Sequence, residues 1–111
     1  LVRNHGRVGH QQVLPAAAVA DTFAGADPAR FAANGPPTLA GWSYRNMWWV
    51  SHNAHGTIMA RGVHGQNIYI DPLAEMVIAR YASHPVAANI ANDPHTLPAY
   101  HALALALLAE R

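Results

Sequence analysis

Apolar and polar positions change rhythm twice along this chain. From Leu14 to Val19 the residues are mostly alanine and other apolar types, Pro15 suits a first helical turn, and Gly25 follows; this predicts a helix. Asp27-Pro28 predicts the cap of a short second helix through Phe31 and Ala33, stopped by Asn34-Gly35-Pro36-Pro37. From Gly41 strand-favouring residues take over, with Trp42, Tyr44, Trp48, Trp49 and Val50 forming a first strand region. His52 to Gly56 predicts a turn, Thr57 to Gly62 a second strand, and Gln66 to Ile70 a third, ended by Asp71-Pro72. Glu75 to Ala82 predicts a fourth, with the apolar run of a central strand. Turn-sized gaps between them predict an antiparallel meander. A Pro- and Asn-containing loop from Ser83 to Pro94 leads to Leu97-Pro98-Ala99, the predicted opening of a helix to Ala109. Tyr100, Leu103, Leu107 and Leu108 give that helix a broad apolar face and alanine fills much of the rest, the pattern of a buried helix. Residues 1–12, rich in Gly, His and Arg, read as loop. The fold class predicted is α+β, an antiparallel sheet flanked by helices.

Composition sharpens this picture. The 111 residues suit one small domain, with 7 basic against 6 acidic residues and a net charge of +1. That balance offers no basic field for a nucleic-acid backbone. Charged residues are only 12% of the chain, about half the ~25% typical of soluble domains. Hydrophobic types reach 51%, 23 residues being alanine. The shortage of charge predicts a surface partly covered by other protein. All basic residues are arginine, so lysine bases, Schiff-base lysines and phosphate-loop lysines are excluded within this chain. There is no cysteine, which excludes thiol nucleophiles, disulfides and cysteine-ligated zinc. The longest apolar run, Ala102 to Ala109, is too short for a membrane span. Leu1 stands where a start would carry Met, and residues 2–7 lack signal-peptide character, which predicts a chain continued upstream.

Candidate chemistry is sparse. Eight histidines are present, and His52 with His55 has the spacing of a metal-binding pair, with His64 as a third ligand across the meander. Their place in a turn favours hydrogen-bonded or solvent-facing imidazoles over a metal site. Ser43, Ser51 and Ser83 are the serines; none lies in Gly-x-Ser-x-Gly or Ser-x-x-Lys. The acids are scattered, and Asp71 and Asp93 precede prolines, where turn and cap roles are the default. Trp48 reads as packing, Trp49 as a candidate pocket wall.

Three longer strings carry more information. Gly41-Trp42-Ser43-Tyr44-Arg45-Asn46-Met47-Trp48-Trp49-Val50 leads to His52-Asn53-x-His55-Gly56. Ala60-Arg61-Gly62-Val63-His64-Gly65-Gln66 runs into Ile68-Tyr69-Ile70-Asp71-Pro72. Ala74 to Arg80 and Ala82 to Ala87 continue the pattern. Together, most densely from 41 to 98, they resemble the C-terminal part of β-lactamase-related serine hydrolases of the class C, penicillin-binding-protein-like type. The branch most similar is that of 6-aminohexanoate-dimer hydrolases and related carboxylesterases. The resemblance implies that residues 1–111 form the C-terminal segment of one catalytic domain of the β-lactamase/transpeptidase-like fold. It implies a serine acyl-enzyme, with the nucleophile in a Ser-x-x-Lys motif and an upstream tyrosine, both outside this sequence. No metal or organic cofactor is implied. The implied partners are a small ester or amide substrate and the preceding part of the same domain.

The one family motif with a counterpart here is Lys-Thr-Gly, which aligns with Ala60-Arg61-Gly62. Ala60 and Arg61 depart from the pattern. Strand alternation keeps Arg61 from replacing the missing lysine, so an ester or linear amide is favoured over a β-lactam. Gly62 keeps the pattern and allows close backbone approach. The resemblance assigns the backbone N–H of Val63 to the oxyanion hole, and Ala60, Trp49 and His64 to the substrate pocket wall. Tyr44-Arg45-Asn46 spells Tyr-x-Asn but lies too close to Ala60 for the family's catalytic tyrosine, and reads as a packed strand residue. The alternative class is a non-enzymatic binding or structural module that pairs with another chain through its tryptophans and alanine-rich helix.

Overall fold

The computed structural model describes residues 2–111. Two short strands, β1 (Arg7–Val8) and β2 (Gln11–Gln12), form an antiparallel hairpin where the sequence reads as loop. The helices α1 (Ala16–Ala24) and α2 (Pro28–Ala32) follow as predicted. Asp27 caps α2 by accepting from the Ala29 N–H at 2.9 Å. A single 3₁₀ turn at Pro37–Leu39 then buries Leu39 and leads into the sheet.

The sheet has five strands, not four. They are β3 (Ser43–Arg45), β4 (Trp48–Val50), β5 (Ile58–Arg61), β6 (Asn67–Asp71) and β7 (Met76–Arg80). They pair antiparallel in chain order, β3-β4-β5-β6-β7. The expected first strand divides at Asn46-Met47, whose φ angles are +52° and +70°. Two consecutive left-handed residues make the two-residue hairpin that matches strand twist. Asn tolerates this conformation; Met does so at a cost. Met47 is 75% exposed, so little packing depends on its side chain. Met47→Gly should therefore stabilise the chain by about 1 kcal/mol, read as a raised denaturation midpoint at unchanged m-value; no gain would mean that the turn carries no strain.

The hairpin is tied to α1. Arg45 donates to both Asp21 oxygens, at 2.9 and 2.7 Å, and Asn46 adds a bond at 2.9 Å. The Arg45 bond, and then the Asn46 bond, hold the Asp21 carboxyl below its ordinary pKa of 3.8.

Alternation gives the sheet two faces. Met59, Tyr69 and Met76 point to one side and pack under α3 (Asp93–Ala109) against Tyr100 and Ala104, with Trp42 and Trp49 beside them. Val50, Ile58 and Ile70 point to the other side, against Phe23 of α1 and Trp48. The α1 side covers only part of its face. Toward β7, Ile68 and Val77 remain exposed. Accordingly β7 is an edge strand here, not the central strand its apolar run predicts. The last helix is likewise buried on one side only, because Leu103, Leu105 and Leu107 face outward.

That helix also starts earlier than Leu97. Its first turn begins at Asp93, and Pro98 lies inside it. A proline there removes one backbone bond, but three tertiary ties hold the extra turn. Asp93 pairs with Arg61 at 2.9 Å, Thr38 Oγ1 donates to Asp93 at 2.6 Å, and Arg80 donates to Thr96 at 3.1 Å.

Candidate functional site

Strand β5 ends in the residues with the most specific sequence signal. Ala60 pairs with Ile68 and Arg61 with Asn67, which places Ala60 and Arg61 on opposite faces of the sheet. The Arg61 guanidinium reaches Asp93, and its side chain is only 8% exposed. It is therefore committed to an ion pair under α3. Ala60, Arg61 and Gly62, with Gln66, Asn67, Ile68, Ala79, Arg80 and Tyr81, line an open cavity of about 330 Å³.

After Gly62 the chain turns tightly. The Gly62 N–H donates to Gln66 O at 2.8 Å and the Gln66 N–H to Val63 O at 3.2 Å. His64 and Gly65 have φ of +58° and +87°. A Cβ on Gly65 would lie 2.2 Å from the His84 ring, so this position needs glycine on both conformational and steric grounds. A Cβ on Gly62 would stand 3.0 Å from Gln66 Cβ, so its immediate use is closure of the turn.

A second loop clamps this turn. Asn89 donates to Gly62 O at 2.7 Å and accepts from the Gly65 N–H at 2.9 Å. The His64 N–H donates to Ala87 O at 3.0 Å, and the His84 N–H to His64 O at 3.1 Å. The Gln66 side-chain amide bonds both backbone groups of Ala82. Thus the N–H groups of residues 62, 64, 65 and 66 are all engaged. Among the described residues the Val63 N–H meets no acceptor, and the Val63 side chain is exposed. Bound neighbours thus leave one exposed donor at the strand end.

Of the other sequence candidates, His64 sits in this turn, whereas Trp49, His52 and His55 lie apart from it. Trp49 pairs with Met59 on the α3 side, packs at 4.6 Å between ring centroids on Tyr44, and lines a separate cavity with Arg30, Phe31 and Pro36. The histidines His52, His55 and His64 do not converge. His64 Nδ1 lies 2.7 Å from His84 O, and His52 Nε2 lies 2.7 Å from Ser43 Oγ. That Ser–His pair escaped sequence reading because its members stand nine positions apart across a hairpin. It is structural: Ser43 is fully buried and its hydroxyl also accepts from the Ala26 N–H at 2.9 Å. His55 instead meets Asp71 at 2.7 Å, and the His101 ring lies tilted against the His55 ring with centroids 4.7 Å apart.

Five sequential antiparallel strands with a helix across one face, and a strand ending in this turn, form the α+β architecture of a β-lactamase-like hydrolase fold. The relatives make the class specific. A solved structure described as a "Putative 6-aminohexanoate-dimer hydrolase from Bacillus anthracis" matches 98% of this chain with 32% identity and a TM-score of 0.77. The 6-aminohexanoate-dimer hydrolase of Paenarthrobacter ureafaciens is 40% identical over 43 residues, 39% of this chain. The resemblance read from the sequence strings is thus found in both sequence and fold. The chain spans 27% of the Bacillus protein, and the Paenarthrobacter match covers 11% of that enzyme. No family model matches the chain. Among the described residues, no helix is long and apolar enough to cross a membrane.

Proposed function

We propose that this chain is the C-terminal segment of a serine hydrolase that cleaves a small ester or linear amide through an acyl-enzyme. In this reading the Val63 N–H is one of two oxyanion donors, the other being the backbone N–H of the nucleophilic serine. Ala60, Gly62 and His64 border the substrate. The observation that carries the reading is the free Val63 N–H in a turn whose other donors are bound, beside an open cavity. Similarity to 6-aminohexanoate-dimer hydrolases supports it. The lysine-free sequence contains no Ser-x-x-Lys, so the nucleophile and its base come from a preceding segment of the same domain. The exposed apolar Val77 on the edge strand β7, outside the cavity lining, is where that segment packs. Ala60 offers no cation for a substrate carboxylate beside β5, and the two arginines that also line the cavity are engaged, Arg61 by Asp93 and Arg80 by Thr96 and His84, so neutral ester or amide groups fit this wall best.

The test uses a chromogenic ester and two polypeptides. One is this chain alone; the other joins it to a segment bearing Ser-x-x-Lys. The joined polypeptide should release a stoichiometric burst of product and the chain alone none. A burst from the chain alone, or turnover that survives replacement of the Ser-x-x-Lys serine, would overturn the proposal.

A further inference from the structure

At the other end of β6 from the Val63 turn, three elements bring two imidazoles and a carboxylate together. His55 lies in the β4–β5 turn, Asp71 ends β6, and His101 sits in α3. One ligand atom from each, a ring nitrogen or a carboxylate oxygen, lies within 4.8 Å of the other two. Asp71 is completely buried. One of its oxygens accepts from the Ala74 N–H at 2.9 Å, the other from the His55 ring at 2.7 Å. A buried carboxylate requires a compensating cation or a dense set of donors. Among the described residues its ion-pair partner is His55 alone. Beside it, Nδ1 of His101 is buried and meets no partner. An orphaned buried nitrogen costs free energy in the metal-free fold.

We propose that His55, Asp71 and His101 bind one divalent transition-metal ion of the zinc class. Two imidazoles and one carboxylate are a donor set that suits zinc, and a water completes a tetrahedron. Two nitrogen donors out of three disfavour magnesium and calcium, which take oxygen ligands. Zinc–ligand bonds of about 2.0–2.2 Å set ligand atoms about 3.3 Å apart. The His55–Asp71 pair opens slightly from 2.7 Å, and the longest separation, up to 4.8 Å, closes. On binding, His55 ligates through Nδ1 as the neutral ring with its proton on Nε2, and the metal takes the place of the hydrogen between Nδ1 and Asp71. Asn67 and Asp71 begin and end β6, so about 13 Å of strand separates the ion from the Val63 turn. The ion therefore ties the β4–β5 turn, the sheet and α3 together and takes no part in acyl transfer. The set differs from the His52, His55 and His64 combination that sequence spacing offers, because topology joins His55 to residues 16 and 46 positions away.

Chelator-stripped protein, with its folded state verified by near-ultraviolet circular dichroism, is titrated with Co²⁺ by visible absorption and with Zn²⁺ by calorimetry. The result expected is one equivalent bound, with tetrahedral cobalt bands that zinc displaces. Excess Zn²⁺ should raise Tm by roughly 10 °C at a hundredfold excess over Kd. His101→Phe keeps a ring against His55 and should weaken binding by at least about tenfold, which at the same Zn²⁺ concentration cuts the Tm shift to about half or less. His52→Ala and His64→Ala should leave both unchanged. Folded protein that gives neither heat nor cobalt bands, or one-equivalent binding at unchanged affinity in His101→Phe, would overturn the proposal.

Discussion

Replacing Val63 by proline should lower kcat by about 10²–10³, the usual effect of deleting one oxyanion donor. The measurement is made in a polypeptide that joins this chain to the nucleophile-bearing segment. Proline removes the N–H and keeps the chain continuous. Val63→Ala is the matched control. The Val63 side chain is 61% exposed, so trimming it should leave kcat unchanged. Because an oxyanion exists only in the transition state and intermediate, KM should move little while kcat and kcat/KM fall together. The Asn89 clamp makes the experiment interpretable, since its two bonds to Gly62 and Gly65 hold the turn from outside the substituted residue. Unchanged kcat in the folded proline variant would remove Val63 from the mechanism.

Asp93→Ala should destabilise the fold by about 3–5 kcal/mol, the range for removing one partner of a buried ion pair. Arg61 Nη2 lies 2.9 Å from the Asp93 carboxylate, and the two side chains are 8% and 4% exposed. Without Asp93 the guanidinium remains buried beside Met59 Sδ, a poor acceptor, and Thr38 loses its acceptor as well. For a domain of this size that loss corresponds to a fall in Tm of roughly 15 °C or more. The double variant Arg61→Met/Asp93→Leu should recover most of the loss, because the burial penalty of an unpaired charge disappears. A loss below about 1 kcal/mol in Asp93→Ala, the value of a solvent-exposed pair, would show that the pair is solvated.

The ion pair also explains why the start of α3 was hidden from sequence reading. Leu97-Pro98-Ala99 looks like a first turn because proline is favoured there. Nothing local to Asp93 announces that Arg61, 32 residues earlier, will anchor an additional turn. The missed hairpin at Asn46-Met47 has a different cause. Asn was a legible hint of left-handed backbone, but Met is not, and the aromatic residues on both sides read as one strand. Clamping by Asp21 from α1 stabilises what the local residues leave ambiguous.

The sequence by itself determined the α+β class, the antiparallel meander, both N-terminal helices and the resemblance to β-lactamase-related hydrolases. These follow from alternation, helix signals and long residue strings, all written in neighbouring positions. It also put Ala60 and Arg61 on opposite faces, since alternation on a strand allows nothing else. Tertiary structure alone decided which donor in the turn after Gly62 stays free, because that depends on Asn89 and Ala87 arriving from another loop. It placed Trp49 away from Ala60, on the α3 side, where pairing with Met59 sends its ring. And it brought together His55, Asp71 and His101 in place of the histidine set suggested by spacing, residues that share no local pattern and meet only because the β4–β5 turn, the end of β6 and the middle of α3 pack together.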